Sequence, residues 1–417
     1  MSNQSQRLVA ALDLGSTRVV AAIGDVTGDP RAPSVRVLGV GTERTTGLRR
    51  GVVRDIEETT RAVKRAVKDA ELKAGVEVGT VYCGVAGEHV AGRSSHGVVS
   101  VTGAEIRTGD VARVNDVAAN VTFGREHELL HAIPQDYLVD QQSGIADPIG
   151  MSGSRLEAEV YLVTVLSSAL ANLRKCVERS GYQVGEFVLE PLAASLAILT
   201  PDERDLGCAI VELGGGSTNV AVFQNGKIRH TASLMFAGGH VTNDLVHGLQ
   251  VTQLDAERLK EEFGAAFEPM VSDTEIIPLP SPRGQTPRSA HRRLIAHIMH
   301  MRLQEILELA LDELTRSGYR QRLAAGIVLA GAGAEAPGMV ELARDVFALP
   351  VRIATPAVGL TGLVDSVQSP RMAVPVGLML YGARQVLQSG GFHGASRRSP
   401  AVDKVFGPVK RWFQDFF

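Results

Sequence analysis

Cysteine is scarce. The 417 residues contain three, Cys83, Cys176 and Cys208. They lie far apart with no CxxC and no metal-ligand spacing, which excludes a disulfide framework and a zinc site. They read as small buried residues of a reducing compartment. Net charge is equally thin: 43 Lys and Arg against 46 Asp and Glu leave −3, so no global basic field exists for nucleic acid, and none is expected as a partner. No stretch reaches the ~18–20 apolar residues that span a bilayer. The opening run from Leu8 to Leu14 is broken by Asp13, unlike a secretory signal. A cytoplasmic soluble body is expected, with any membrane contact supplied from elsewhere. Walker A, GxSxG and HExxH patterns are missing. What is present is material for cores, 44% hydrophobic and 21% charged residues, at a length suggesting about two to four compact units.

The N-terminal apolar run closes on Gly15-Ser16-Thr17 and is followed by a second run, Val19 to Ile23. Strand, glycine turn, strand is the natural reading. Half a chain later the pattern returns: Cys208 to Leu213, Gly214-Gly215-Gly216-Ser217-Thr218, then Val220 to Phe223. ALDLGSTRVVAAIG and AIVELGGGSTNVAVF share an acid, Leu and Gly, then Ser-Thr, then an apolar strand. Such an internal duplication predicts two related halves facing a shared cleft. The chemistry of the turn suits nucleotide phosphates. Glycines admit close backbone approach, successive N–H groups make an anion nest, and hydroxyls donate further hydrogen bonds. Asp13 and Glu212, just before the turns, stand where they can hold Mg²⁺ directly or through water. Ordinary capped hairpins are the alternative for either copy alone; the duplication with both acids retained argues against it.

Other segments read less sharply. In FVLEPLAASLAIL, Glu190 and Pro191 lie between a strand and a helix; Glu190 is a candidate for orienting an attacking water, or an acid favoured by the helix dipole with Pro191 at the first helical position. Gly331-Ala332-Gly333 follows a buried strand, Ala325 to Ala330, but GAGAEAPG fails the GxGxxG spacing of a dinucleotide fold. Asp55 to Ala74 carries Ile56, Thr60, Val63, Val67 and Ala70 at helical spacing. Asp110 is expected to cap a short helix bearing Val111, Val114, Ala118 and Val121. The region from Tyr82 to Thr164 otherwise shows short strand-like runs, suggesting an inserted subdomain. Ser272 to Ala290, with Pro278, Pro280, Pro282 and Pro287, predicts an extended loop. A long helix from Ser289 to Ser317 follows, with Leu294, Ile298, Met301, Ile306, Leu309 and Leu314 as its apolar side. His297 and His300 on that helix are expected to face solvent.

The last residues differ in kind. Gln388 to Pro400 is a Gly/Ser/Arg linker. Beyond it, Val405, Phe406, Val409, Trp412, Phe413, Phe416 and Phe417 fall on one helical face, with Lys404, Lys410 and Arg411 towards the other. The alternatives are a terminal helix docked on the body and an in-plane membrane anchor. The linker, the aromatics and the cations favour the anchor, each cation contributing about 1 kcal/mol near an anionic surface.

Together these residues resemble the FtsA family of bacterial cell-division proteins, in the actin/Hsp70/sugar-kinase ATPase superfamily, from about Leu8 to Ala383 plus the tail. ALDLGST resembles the first phosphate loop and VELGGGSTNVAVF the second. LEPLAASLAIL and AVPVGLMLYG resemble the two connecting helices, and GIVLAGAGAEAPGM the adenosine loop. VYCGVAGEHVAG resembles the entry to the family's inserted subdomain. HAIPQDYLVDQQSGIADPIGMSG resembles its HxIPQxYxxD…GxxxPxGxSG segment and is the most diagnostic run. The resemblance implies an α/β, actin/Hsp70-like two-domain ATPase fold with an inserted α+β subdomain, plus a C-terminal amphipathic helix. It implies a first domain over 1–82 and 164–199, the insertion over 83–163, and a second domain over 200–362 with a partner-binding part around 228–318. A return over 363–386, a linker over 387–400 and the helix over 401–417 complete it.

The resemblance also assigns roles. Asp13 and Glu212 match acids near Mg²⁺. Gly15, Ser16, Thr17 and Gly214, Gly215, Gly216 and Ser217 match the phosphate clasps. Glu257 and Lys260 match nucleoside contacts, Gly331 and Ala332 fall in the adenosine loop, and Glu190 falls where related ATPases polarise water. Arg288 and Arg302 look like the basic residues that grip the acidic C-terminal tail of tubulin-like FtsZ. ATP and Mg²⁺ are the implied cofactors. The implied partners are the FtsZ tail, an anionic membrane surface, further copies of the chain in protofilaments, and other division proteins through the insertion. The second loop departs from the usual pattern with Glu212 for Asp and Asn219 for Asp or Thr, and the adenosine loop with Ala332 for Gly. At most slow ATP turnover is expected, with nucleotide acting as a polymerisation switch. The rival readings are a small-molecule kinase of the same superfamily and a non-hydrolysing scaffold with a degenerate cleft.

Overall fold

The computed structural model describes residues 7–30, 32–124, 126–280 and 288–388. The anchor candidates Phe406, Val409, Lys410, Arg411, Trp412, Phe413, Phe416 and Phe417 lie outside the described residues. Among those described, no helix is long and apolar enough to cross a membrane, and all three cysteines are buried and free.

The chain opens with antiparallel neighbours β1 (Leu8–Leu14), β2 (Arg18–Asp29) and β3 (Ala32–Arg44), then a small hairpin, β4 (Leu48–Arg49) and β5 (Val52–Val53). Helix α1 (Ile56–Ala74) starts where the Asp55 carboxylate accepts from the Glu58 amide at 3.0 Å, a cap worth about 1 kcal/mol, and stops at Gly75, whose φ is 67°. Strand β6 (Thr80–Val85) pairs parallel with β1. The inserted unit comprises β7 (Val90–Ser100), α2 (Thr108–Ala119), β8 (His127–Val139), β9 (Gln142–Ile145) and β10 (Arg155–Leu166), forming a four-stranded sheet in the order β7-β10-β8-β9. Its main strands are long, not short: β8 continues past Pro134 because the pairing with β10 skips Gln135, a bulge that tolerates the missing N–H. Asp110 is not the cap of α2. It lies inside the first turn, accepts from the Arg107 amide at 3.0 Å and pairs with Arg113 at 2.7 Å, and Val121 lies beyond the helix end.

Helix α3 (Ser167–Arg179), β11 (Gln183–Leu189), α4 (Glu190–Ile198) and α5 (Pro201–Leu206) lead into the second half. Pro191 is the second helical residue of α4, after Glu190. There β12 (Cys208–Leu213), β13 (Thr218–Gln224) and β14 (Lys227–Leu234) are antiparallel neighbours, followed by α6 (Gly238–Leu249) and α7 (Gln253–Phe263). The proline-rich stretch is not all loop, since β15 (Ile276–Leu279) pairs with β16 (Arg288–His291). The long helix α8 (Arg292–Arg316) therefore starts later than expected, Ser289 being in a strand. Its buried face runs through Ile295, Met299, Leu303, Ile306, Leu307, Ala310 and Leu314, whereas Leu294 and Met301 are exposed. After β17 (Gly326–Ala330) come α9 (Met339–Phe347), β18 (Val351–Ile353), β19 (Leu360–Gly362) and α10 (Ala373–Gln388).

The duplication is visible in the sheets. The first has the order β11-β6-β1-β2-β3-β19, the second β18-β17-β12-β13-β14. In both, three antiparallel strands continue through the first of them into parallel partners. Helices α4 and α10 lie between the sheets and share one core with residues of both, including Val9 and Ala11 on β1 and Cys208 and Ile210 on β12. From Pro191 to Ile198 every residue of α4 is buried, which explains a helix without a polar face. The two helices touch backbone to backbone: a Cβ on Gly377 would run into the Ala193 carbonyl.

Candidate functional site

Strand alternation places the acids. Val9 and Ala11 point to the middle layer while Ala10, Leu12 and Leu14 point to the outer core, so Asp13 shares the inner face. On β12 the same parity puts Glu212 with Cys208 and Ile210, and α4, whose first residue is Glu190, occupies that layer. Asp13, Glu190 and Glu212 thus meet where the two halves face each other.

The glycine turns meet as well. A Cβ on Gly215 would lie 2.6 Å from Thr17 Cγ2, and one on Gly216 would run into Ser16 Oγ, so only glycine permits this approach. The second turn is closed by the Gly214 amide donating to the Ser217 carbonyl at 3.1 Å. Helix α6 is fastened to it: the Gly238 and Gly239 amides donate to the Gly214 and Gly215 carbonyls at 3.0 and 2.9 Å. On α7, Lys260 donates to Glu257 Oε2 at 2.7 Å and to Thr242 Oγ1 at 2.8 Å, and Thr242 donates to the same carboxylate. Gly331, with φ of 80°, packs on the end of β12, where a Cβ would be 2.6 Å from the Leu213 carbonyl oxygen, and Ala332 follows it. The residues expected to hold phosphates and nucleoside are therefore neighbours through a continuous set of contacts.

Electrostatically the centre is acidic and unsatisfied. Burial, and then Glu212, pushes the Asp13 carboxyl up to about 7; burial pushes Glu212 up to about 7 against the lowering bond from Asn219; and burial, then Asp13 and Glu212, raise Glu190 well above the carboxylate range. Asn219 Nδ2 donates to Glu212 at 3.2 Å and to Glu190 at 3.4 Å, and its Oδ1 accepts from Ser233 Oγ at 2.8 Å. The register explains the row: Glu212 is opposite Asn219, and Asn219 is opposite Ser233, across three adjacent strands. Among the described residues no group of three His, Cys, Asp or Glu side chains is gathered to hold a metal by itself. The donor set fits a cation held partly by other ligands, because added positive charge relieves three mutually repelling carboxyls.

Sequence reasoning did not assign a role to Ser233, nor to His131, whose Nε2 accepts from the Leu189 amide at 3.0 Å, one residue before Glu190. Burial holds that imidazole down to about 4, so it is neutral and able to accept. The bond ties the inserted unit to the start of α4. The two arginines assigned to partner binding lie apart from the cleft residues. Arg288 donates to the Leu249 and Gln250 carbonyls at 2.6 and 3.1 Å, finishing α6, and Arg302 pairs with Asp244 at 2.5 and 3.1 Å. Arg302 lines a surface recess with Ile298, Met301 and Glu305. His297 is exposed and meets Glu268 at 2.7 Å, while His300 is half-buried beside Phe267, its Nδ1 2.9 Å from the Ala266 carbonyl oxygen.

A family model described as "Cell division protein FtsA" matches residues 209–377, and one described as "SHS2 domain inserted in FTSA" matches residues 87–164. The chain is 39% identical over 421 residues to cell division protein FtsA of Pseudomonas aeruginosa, covering 100% of each. It is 37% identical to the Escherichia coli K12 protein of that name, with 99% of each covered. Among solved structures it is similar to a PilM-PilN type IV pilus biogenesis complex, with TM-score 0.62 and 16% identity over 90% of this chain and 98% of that one. It is also similar to MreB 5 of Spiroplasma citri bound to AMPPNP, with TM-score 0.52 and 16% identity over 92% and 99%. At that identity the likeness is one of fold, extending over both halves.

Proposed function

The chain belongs to the FtsA family of cell-division proteins, in the actin-like superfamily, and from that premise we propose that it is an ATP-dependent switch that polymerises and tethers FtsZ filaments to the inner face of the cytoplasmic membrane. The observation that carries the nucleotide part is the meeting of two glycine turns, one from each half, above three repelling carboxyls. Gly15, Ser16 and Thr17 present N–H and hydroxyl donors from one side, and Gly214, Gly215, Gly216 and Ser217 from the other, to the phosphates of ATP. Gly331, Ala332, Glu257 and Lys260 border the nucleoside. Asp13 and Glu212 hold Mg²⁺ with the help of water and phosphate oxygens, the usual manner for this ion. When bound, Mg²⁺ supplies the charge that offsets both phosphates and carboxyls.

Glu190 orients the attacking water, and its environment makes that slow. Burial and two neighbouring carboxyls disfavour the charged form of Glu190, which is the form that accepts a proton from water. Nucleotide therefore acts by bringing the two halves together more than by being consumed, and the closed form joins protofilaments. Arg288 and Arg302 receive the acidic FtsZ tail on the α6–α8 side. Other division proteins engage the inserted unit, where a cavity of about 650 Å³ opens between α2 and the second half, lined by Val111, Tyr137, Ile149, Asp205 and Lys227. The tail after the linker binds the membrane peripherally, and many weak tails on one filament give firm attachment.

The test is ATP-dependent co-sedimentation with anionic liposomes, comparing the full chain with one ending at Ser399. Lipid binding lost on truncation, with filaments on the lipid only in ATP, is the expected result. Equal binding by both chains would make the aromatic tail a docked helix and end the tether reading.

A further inference from the structure

The β4–β5 hairpin turns through two residues, Arg50 and Gly51, with φ of 54° and 79°. Glycine adopts this region readily. Arginine does so against its own Cβ, and a hairpin turn of this kind ordinarily carries Asn, Asp or Gly. A non-glycine residue held there directs attention to what its side chain does.

The turn is wedged into the cleft. A Cβ on Gly216 would lie 3.2 Å from the Arg50 amide nitrogen, and one on Gly87 would run into the Arg50 carbonyl. A loop of the first half thus rests against the phosphate turn of the second, beside Ser16. Arg50 is half-buried, and its guanidinium has no hydrogen bond or ion pair among the described residues. Neighbouring cations do: Arg18 meets Glu261 at 3.3 Å and Lys260 meets Glu257 at 2.7 Å. The charge of Arg50 reaches across the cleft, because the imidazole of His240 in the first turn of α6 is held below its ordinary value by burial first and then by Arg50. An unpaired guanidinium beside two anion nests has the chemistry of a phosphate ligand, since its planar fork matches phosphate oxygens two at a time.

We propose that Arg50 reads the terminal phosphate of a bound nucleoside triphosphate and sets the preference of the cleft for triphosphate over diphosphate. The inference rests on the nucleotide reading of the cleft and adds to it the residue that tells the two nucleotide states apart. Asp13, Glu190 and Glu212 repel the phosphates, so discrimination in favour of the extra charge needs a cation aimed at the far end. Arg50 is placed there by its backbone, whatever the state of the metal.

The test is calorimetric titration of the full-length chain with AMPPNP and with ADP, each in Mg²⁺, for the wild type, Arg50→Gly and Arg50→Lys. Glycine accepts the positive φ, so Arg50→Gly is expected to fold and to melt no lower than the wild type. Its affinity for AMPPNP should fall at least about tenfold while that for ADP changes less than about twofold, and Arg50→Lys should recover part of the difference. An equal loss for both nucleotides, or no loss for either, overturns the assignment while leaving the cleft as a nucleotide site. Binding of neither nucleotide by the wild type would instead overturn the nucleotide reading and this inference with it.

Discussion

Asp13, Glu190 and Glu212 form a cluster that is unfavourable by itself, and the linkage can be worked out in sign. A carboxyl raised to about 7 in the folded chain keeps its proton where the unfolded chain has already lost it. The contribution of this cluster to the stability of the nucleotide-free protein is then most favourable near pH 4, falls as pH rises towards 7, and stays low above. Asp13→Asn removes one charge and eases the other two. In the absence of Mg²⁺ and nucleotide we expect the variant to be more stable than the wild type at pH 8 by about 1–2 kcal/mol, each pKa unit being worth about 1.4, and to match it near pH 4. Denaturant midpoints across that range check this, and parallel curves for the two proteins would remove Asp13 from the cluster. Asp13 and Glu212 were legible in the sequence, because each precedes a glycine turn and strand parity fixes its side, and Glu190 because it stands between a strand and a helix. Ser233 was not. Its place beside Asn219 depends on the pairing of β13 with β14 across a register shift, which no single segment encodes.

At the scale of elements, α8 shows how far periodicity reaches. Its existence was legible, and Ile306 and Leu314 are buried as expected, but Leu294 and Met301 were placed on the apolar side wrongly and the start was set too early. The helix is covered by α6, α7 and α9, so a broad arc is buried, while Leu294 and Met301 stay exposed, Met301 beside Arg302 in the recess. The proline-rich segment before it was read as loop because proline breaks local patterns, yet Pro278 pairs opposite Ser289 in a two-stranded sheet, where each strand has one unpaired side and a residue without an N–H is tolerated. Arg302 is half-buried on this helix and already neutralised by Asp244 and Glu305. An incoming acidic tail must compete with them. Reversal, Arg302→Glu, should weaken binding of an acidic tail peptide by about tenfold or more at low salt, with the gap closing as ionic strength rises. Fluorescence anisotropy measures it, and an unchanged affinity would take α8 out of the partner surface.

At the scale of the whole molecule the inserted unit is attached to both halves. It leaves and rejoins the chain in the first, but its contacts with β14 belong to the second. Lys227 Nζ donates to the Gln135 carbonyl at 2.5 Å, Arg229 pairs with Asp136 at 2.8 Å, and the Thr231 amide donates to the Tyr161 hydroxyl at 2.9 Å. With His131 bonded ahead of Glu190, movement of one half against the other must pull on the insertion. Arg229 is nearly buried, so Arg229→Ala removes its pairing with Asp136, its bond to the Gln224 carbonyl and its packing, and should cost about 2 kcal/mol of stability. It should also reduce the response of hydrogen exchange in β8 to added nucleotide. Exchange in β8 that follows nucleotide equally in both proteins would show that β14 does not transmit the motion.

Sequence alone determined the duplicated turns, the acids before them and the presence of an insertion, and a family resemblance supplied the two connecting helices. These are local patterns: a glycine turn, a parity of two, a run of small apolar residues, each readable within a few positions because covalent geometry imposes them. The tertiary structure alone decided which residues face one another across the cleft. Thr17 against Gly215, Arg50 beside Gly216 and His131 behind Glu190 are contacts between segments far apart in the chain. They arise from the packing of two sheets on one pair of helices, and packing at that range is set by all the buried surfaces together.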